Sequence, residues 1–146
     1  MPQTFNGWQR SGFAAKDAMS LTTSYVAHEL TQDATVSRSQ GVPDDAHLYD
    51  LCFEFSAMAT SGTTPTQVSY YLARDSGGTQ PLTEVFTLGI VKALGAAAAT
   101  GGATQRMEVD FHSTSAVGAS AYNSVYLIVL VDAGTATAAA YLNWRA

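Results

Sequence analysis

Charge is scarce in this chain. Only 13% of its 146 residues are Asp, Glu, Lys or Arg, against roughly 25% in ordinary soluble domains. The seven Lys and Arg stand singly and are outnumbered by twelve Asp and Glu, for a net charge of −5. Phosphate backbones are bound by clustered cations, so nucleic acid is not an expected partner. The single cysteine, Cys52, leaves no intramolecular disulfide and no cysteine cluster for zinc. The longest strongly apolar run, Val125 to Val131, falls far short of the about 20 residues of a membrane helix, and no membrane partner is expected. Met1 to Ser20 has no apolar core of a signal peptide. The expectation is a protein made and kept in a reducing cytoplasm, or in a particle assembled there.

Catalytic signatures are also scarce. There is no G-x-S-x-G elbow, no Walker-type loop and no dinucleotide fingerprint. His28, His47 and His112 lie far apart, without the i, i+2 or i, i+4 spacing of a zinc motif. Asp110, His112 and Ser113 supply the letters of a triad, but triads are assembled in space and adjacency carries no weight. Asp50 and Glu54 share one strand face and read as a solvated face sooner than as an acid–base pair, with Cys52 a quiet thiol beside them. The expectation is no enzyme, no metal and no cofactor. A sugar-binding sandwich would use exposed aromatics, with Tyr71, Tyr122, Tyr126 and Tyr141 as candidates.

What the chain has instead is small uncharged surface and many short strands. The hydrophobic share of 47% is ordinary, so Ala, Thr, Ser and Gly stand where charge is missing. Such a surface packs against a neighbour without burying unpaired charge, which favours a subunit of something larger. Val125 to Val131, VYLIVLV, is β-branched and bounded by Asn123-Ser124 and Asp132-Ala133-Gly134; it reads as a strand buried on both faces. His47 to Met58 alternates, with His47, Tyr49, Leu51, Phe53, Phe55 and Ala57 on the core side and Asp50, Cys52, Glu54 and Ser56 outward. Strands are also expected over 21–29, 67–75, 81–91 (interrupted by Gly89), 106–112 and 136–145, with a short edge at 35–37. Asp75 to Gly78 is a tight turn needing positive φ, and Ala93 to Ala103 a low-complexity loop. The last strand carries Ala136, Ala138, Ala140, Leu142 and Trp144 on one face; its small residues allow close approach of an opposing sheet. Seven or eight such strands give an all-β fold, a single antiparallel β-sandwich of jelly-roll type over residues 21–146.

Residues 1–20 show neither periodicity and read as an extended N-terminal arm. It carries Phe5, Trp8, Arg10 and Phe13, the candidate partner-binding residues. They pack either over the chain's own sandwich or on a neighbouring subunit.

The segment VSYYLARDSGGTQPLT at Val68 to Thr83, the Ala/Thr/Gly-rich loops and the ending AAAYLNWRA at Ala138 to Ala146 resemble the small β-sandwich virion proteins of tailed bacteriophages, capsid decoration (cement) proteins in particular. The resemblance is one of texture over residues 21–146. It implies a structural virion protein on the capsid surface, made in the host cytoplasm. Its partners would be the major capsid protein and copies of itself, often as a homotrimer, and the arm would tie neighbouring shell subunits together. Tail, neck and head-fibre sandwich proteins share that texture, and a carbohydrate- or receptor-binding module is the alternative function.

Overall fold

The alternating and β-branched runs of the sequence form eleven strands and no helix among the described residues. The structure, a computed structural model, describes residues 11–30, 42–43, 48–58, 64–92, 100–108, 122–123 and 125–145. The strands are β1 (Ser11–Leu21), β2 (Val26–Leu30), β3 (Val42–Pro43), β4 (Leu48–Met58), β5 (Gln67–Ala73), β6 (Phe86–Gly89), β7 (Val91–Lys92), β8 (Gly101–Glu108), β9 (Tyr122–Asn123), β10 (Val125–Val131) and β11 (Ala136–Arg145). They make a five-stranded sheet in the order β1-β11-β4-β8-β7, a four-stranded sheet in the order β2-β10-β5-β6, and the short pair β3-β9. All pairings are antiparallel. Successive long strands mostly cross from one sheet to the other, which is the winding of a jelly-roll β-sandwich.

The inner faces follow the period of two. Leu51, Phe53 and Phe55 of β4 and Ala138, Ala140 and Leu142 of β11 are buried from one sheet; Val68, Tyr70 and Leu72 of β5 and Val125, Leu127, Val129 and Val131 of β10 are buried from the other. All belong to one core cluster. In register, Phe53 lies beside Ala140 and Phe55 beside Ala138, so large and small residues alternate across neighbouring strands. The Phe53 ring meets the Tyr70 ring of the facing sheet edge-on, with centroids 5.4 Å apart, and Phe86, beside Tyr70 on the neighbouring strand of its own sheet, packs against it at 5.5 Å. That aromatic column spans the roughly 10 Å between sheets. The Tyr70 hydroxyl is buried without a partner among the described residues, and burial pushes its pKa far up.

Several expected boundaries move. The arm expected over residues 1–20 is, from Ser11 onward, a strand at the edge of the five-stranded sheet, paired with β11 from Ser11↔Arg145 to Leu21↔Ala136. Its alternation is broken because the register shifts between Lys16 and Met19, a β-bulge that resets the inward positions to Met19 and Leu21. The strand expected over 21–29 is divided: Leu21 ends β1, and β2 begins at Val26. The strand expected from Arg106 begins at Gly101, so the loop expected over 93–103 is corrected at its end. A Cβ on Gly101 would press on the Val91 carbonyl, which is why a glycine-rich segment can pair between β4 and β7 there. The short edge expected at 35–37 and residues 109–112 lie outside the described residues.

Within the bulge, Ala18 holds φ of 51°. An L-residue there costs roughly 1–2 kcal/mol that glycine avoids. Ala18→Gly is therefore expected to raise the denaturant midpoint, by an equivalent of about 0.5–1 kcal/mol after the entropy that glycine adds to the unfolded chain. An unchanged or lowered midpoint would show that the bulge is not strained.

Candidate functional site

Of the arm residues, Phe5, Trp8 and Arg10 lie outside the described residues, and Phe13 is described through its backbone, opposite Asn143. The surfaces that can be built from side chains are the two outward sheet faces and the sheet edges.

The outward face of the five-stranded sheet is polar. Asp50 and Arg106 lie directly opposite each other on β4 and β8 and form a two-point ion pair, Arg106 Nε donating to Asp50 Oδ1 at 2.8 Å and Nη2 to Oδ2 at 3.3 Å. This bond raises the Arg106 pKa. Asp50 is thus committed to Arg106, and Glu54 is four residues along the strand, about 13 Å away; the two do not form an acid–base pair. Cys52 shares a hydrogen bond with Thr104 at 3.3 Å. Among the described residues no group of three or more His, Cys, Asp or Glu is placed to hold a metal ion.

The outward face of the four-stranded sheet differs. The even positions of β10, Tyr126, Ile128 and Leu130, point away from the core. Opposite them stand Glu29 and Ala27 of β2, and Ala73, Tyr71 and Ser69 of β5. Tyr25, 45% exposed, precedes β2, and its ring meets that of Tyr71 edge-on at a centroid distance of 5.7 Å. Their strands lie on either side of β10, two spacings or about 9.6 Å apart. Rings that close must cross over β10, and they roof Ile128, which is 4% exposed although it faces outward. Tyr71 also reaches the Gly78 carbonyl at 3.5 Å, and Gly78 holds φ of 70° in the turn, as the Asp75–Gly78 sequence requires.

At one end of this face the Tyr126 hydroxyl donates to Glu29 Oε2 at 3.4 Å. The Glu29 charge, then burial, this bond and the more distant Asp75 raise the tyrosine's pKa. Asp75 is used by its own turn. Its carboxylate accepts from the Thr79 hydroxyl at 2.6 Å, the Thr79 amide at 3.1 Å and the Gln80 amide at 2.8 Å, and the Thr79 hydroxyl foremost holds it below the usual carboxylate range. Of the expected aromatic candidates, Tyr71 and Tyr126 come together here, half-buried. Tyr141 lies on the opposite sheet, beside Cys52 in register, and the side chain of Tyr122 is not described. The hydrophobic run around Tyr126 reads as buried on both faces, and that reading is corrected at Tyr126 and Leu130, which are only half-buried.

The opposite end of the sandwich is held by Asp132. Its carboxylate accepts from the Thr66 amide at 2.8 Å, the Gln67 amide at 3.0 Å and the Thr66 hydroxyl at 2.6 Å. Asp132-Ala133-Gly134 is therefore a corner between sheets fixed to the start of β5, where the sequence reads as a simple reversal. Burial acts to raise the Asp132 pKa, but the Thr66 hydroxyl and the two amides outweigh it and the net shift is downward. Asp132→Ala is expected to destabilise by about 1–2 kcal/mol, since the bonds are charge-assisted but exposed to water. A carboxylate with a depressed folded pKa contributes stability above its unfolded value near 3.8, and loses it as pH falls through the folded value. The gap between wild type and Asp132→Ala, read from urea midpoints, should narrow below about pH 4; a gap constant from pH 7 to pH 2.5 would show that the charge plays no part. Next to this corner a cleft of about 480 Å³ is lined by Ser20, Thr22, Thr135, Thr137 and small apolar groups, with no charged side chain.

His28 sits on β2 opposite the core residue Leu127, with Nε2 buried and unpartnered among the described residues. Burial, and secondarily the Lys16 charge, lower its pKa from 6.5. The unfolded chain therefore binds the extra proton first, and stability falls as pH drops below about 6.5. His28→Gln is expected to lose less stability than wild type between pH 7.5 and pH 5; identical slopes would rule this contribution out.

No family model matches the chain, and no curated protein matches it. Among solved structures the chain is similar to one described as the structure of Eiger TNF from S. frugiperda, at 8% identity, with 92% of each chain covered and a TM-score of 0.38; a likeness of that degree carries no argument about function.

Proposed function

We propose that the protein is a structural virion subunit, a decoration protein that binds the outside of a phage head as a homo-oligomer and stabilises the shell. The observation that supports this reading is the outward face of the four-stranded sheet. Across β2, β10, β5 and β6 its outward positions are Ala, Ser, Thr, Gln, Tyr, Ile, Leu and Gly, with Glu29 as the charged exception. Such a face can be covered at little desolvation cost, and tyrosine is the residue type that anchors interfaces. The sequence texture supplies the virion context. The contribution of each copy is additive burial, multiplied by avidity over a repeating shell.

The test is co-sedimentation of the purified protein with phage heads lacking it. Tyr126→Arg should weaken binding at least tenfold, whereas Glu54→Arg, on the other sheet, should leave it within twofold. Absence of binding to heads, or equal loss in both variants, would reject the reading. One observation favours a second reading: the Tyr126 hydroxyl is hydrogen-bonded to the Glu29 carboxylate, and Tyr71 stands on the same sheet face, opposite Ile128, an arrangement able to stack on and hydrogen-bond a sugar. A glycan array without binding would remove it.

A further inference from the structure

The four-stranded sheet has two edges, β2 and β6, and the five-stranded sheet has β1 and β7. Exposed strand edges template pairing with another chain unless a bulge, a charge or brevity prevents it. Three of the four are so protected. β1 carries its bulge with Lys16 and Asp17, β2 carries Glu29, and β7 is two residues long and ends on Lys92. β6, Phe-Thr-Leu-Gly, has neither charge nor bulge.

The backbone of β6 can be read residue by residue. The Ile90 amide donates to the Thr66 carbonyl at 2.9 Å, and β5 pairs β6 in the same register, from Gln67↔Gly89 to Tyr70↔Phe86. Hydrogen-bonded and non-bonded pairs alternate in an antiparallel ladder. Ile90, Leu88 and Phe86 thus turn their backbone groups toward β5, and Thr87 and Gly89 turn theirs outward. No described strand pairs with that side. Val85 precedes β6, and Val91 follows it as the first residue of β7, opposite Gly102 of the five-stranded sheet; they are 53% and 77% exposed, two of the four exposed large hydrophobic residues among those described. A Cβ at Gly89 would meet nothing within 4 Å.

We infer that β6 is a self-association edge, pairing antiparallel with β6 of a second copy across a two-fold axis. The register that uses the outward groups and joins the exposed valines sets Thr87 against the partner copy's Gly89, and Val85 against its Val91. The two Thr–Gly pairs then form four backbone hydrogen bonds, and the two Val–Val pairs cover each other. The occupant is a second copy because the pattern is self-complementary. Two chains each of net charge −5 also meet there without like charges on the paired residues. The contact is isologous and closes as a dimer. It buries less than the roughly 1,200–2,000 Å² of a standard interface, so a Kd of about 10–500 μM is expected. This inference does not depend on the virion reading.

Sedimentation equilibrium up to about 1 mM, combined with amide exchange, tests it. The free protein should be a reversible dimer, with the Thr87 and Gly89 amides slowing as concentration rises. Thr87→Pro, which removes the outward N–H together with the Thr87 hydroxyl, should be monomeric, with an unchanged far-ultraviolet spectrum. Thr87→Val, which keeps the N–H but loses the 2.9 Å bond between the Ser69 and Thr87 hydroxyls, should still dimerise. The register has its own test in a Cys52→Ser background: a mixture of Val85→Cys and Val91→Cys chains should cross-link on oxidation and Val85→Cys alone should not, since the two copies of position 85 lie about 20 Å apart. A monomer at 1 mM, a trimer, a dimer untouched by Thr87→Pro, or cross-linking of Val85→Cys alone would each overturn the inference.

Discussion

Phe53→Ala is expected to lower the stability of the fold by about 3–5 kcal/mol, the usual cost of emptying a fully buried phenylalanine site. Phe53 is 1% exposed. It stands between the rings of Phe55, at 6.2 Å, and Tyr70, at 5.4 Å, and it is the first ring of the column that bridges the sheets. The sites beside it cannot refill the space, because its register neighbours are Ala140 and Ala103. For a domain of this size the loss corresponds to a fall in Tm of about 10–20 °C, a large part of a typical total stability of about 5–15 kcal/mol. The measurement is a urea or guanidinium midpoint with the slope unchanged. A loss below about 1.5 kcal/mol would mean that the column collapses around the gap, and that the two sheets are not held apart by these rings.

Ala140→Leu should be the next most damaging change, at about 1–3 kcal/mol, from overpacking. Ala140 is fully buried, with Phe53 on one neighbouring strand and Lys16 on the other. Three extra carbons must enter a layer already filled by the Phe53 ring and the facing sheet. A telling control is Ala139→Leu one residue along, which points to the outward face and should fall within about 0.5 kcal/mol. If both substitutions behave alike, the inward assignment of β11 is wrong. The double variant Phe53→Ala with Ala140→Leu should recover part of the loss, since the two sites share space and are not additive.

These two sites show what is legible in the sequence. The alternation of Leu51, Phe53 and Phe55 against Asp50, Cys52 and Glu54, and the alternate alanines of 136–145, follow a strand's period of two, which is local; Ala57, expected inward, is exposed and Met58 is buried instead, because the register with β11 shifts between Thr137 and Ala138. The turn at Asp75 to Gly78 was legible for the same reason, its chemistry lying within six residues. β1 was not. Its bulge breaks the alternation at Lys16 to Met19, and its partner β11 is more than a hundred residues away. Nor was the outward face of the four-stranded sheet: Tyr25 and Tyr71 meet across β10 only because β2 and β5 flank it.

An all-β chain, the inward parity of most strand positions, the scarcity of charge and the small-residue surface are local properties, carried by the order of residues alone. Tertiary structure alone decided which strand enters which sheet, since a hairpin and a corner between sheets begin with similar turn residues. It took the Asp132 carboxylate, bonded to Thr66 and Gln67 in a distant strand, to make the turn after β10 a corner. Tertiary structure likewise decided which edge is left unguarded. β6 looks like any short apolar run until the sheet order places it outermost, and an edge is a property of what does not pair, which no local pattern encodes.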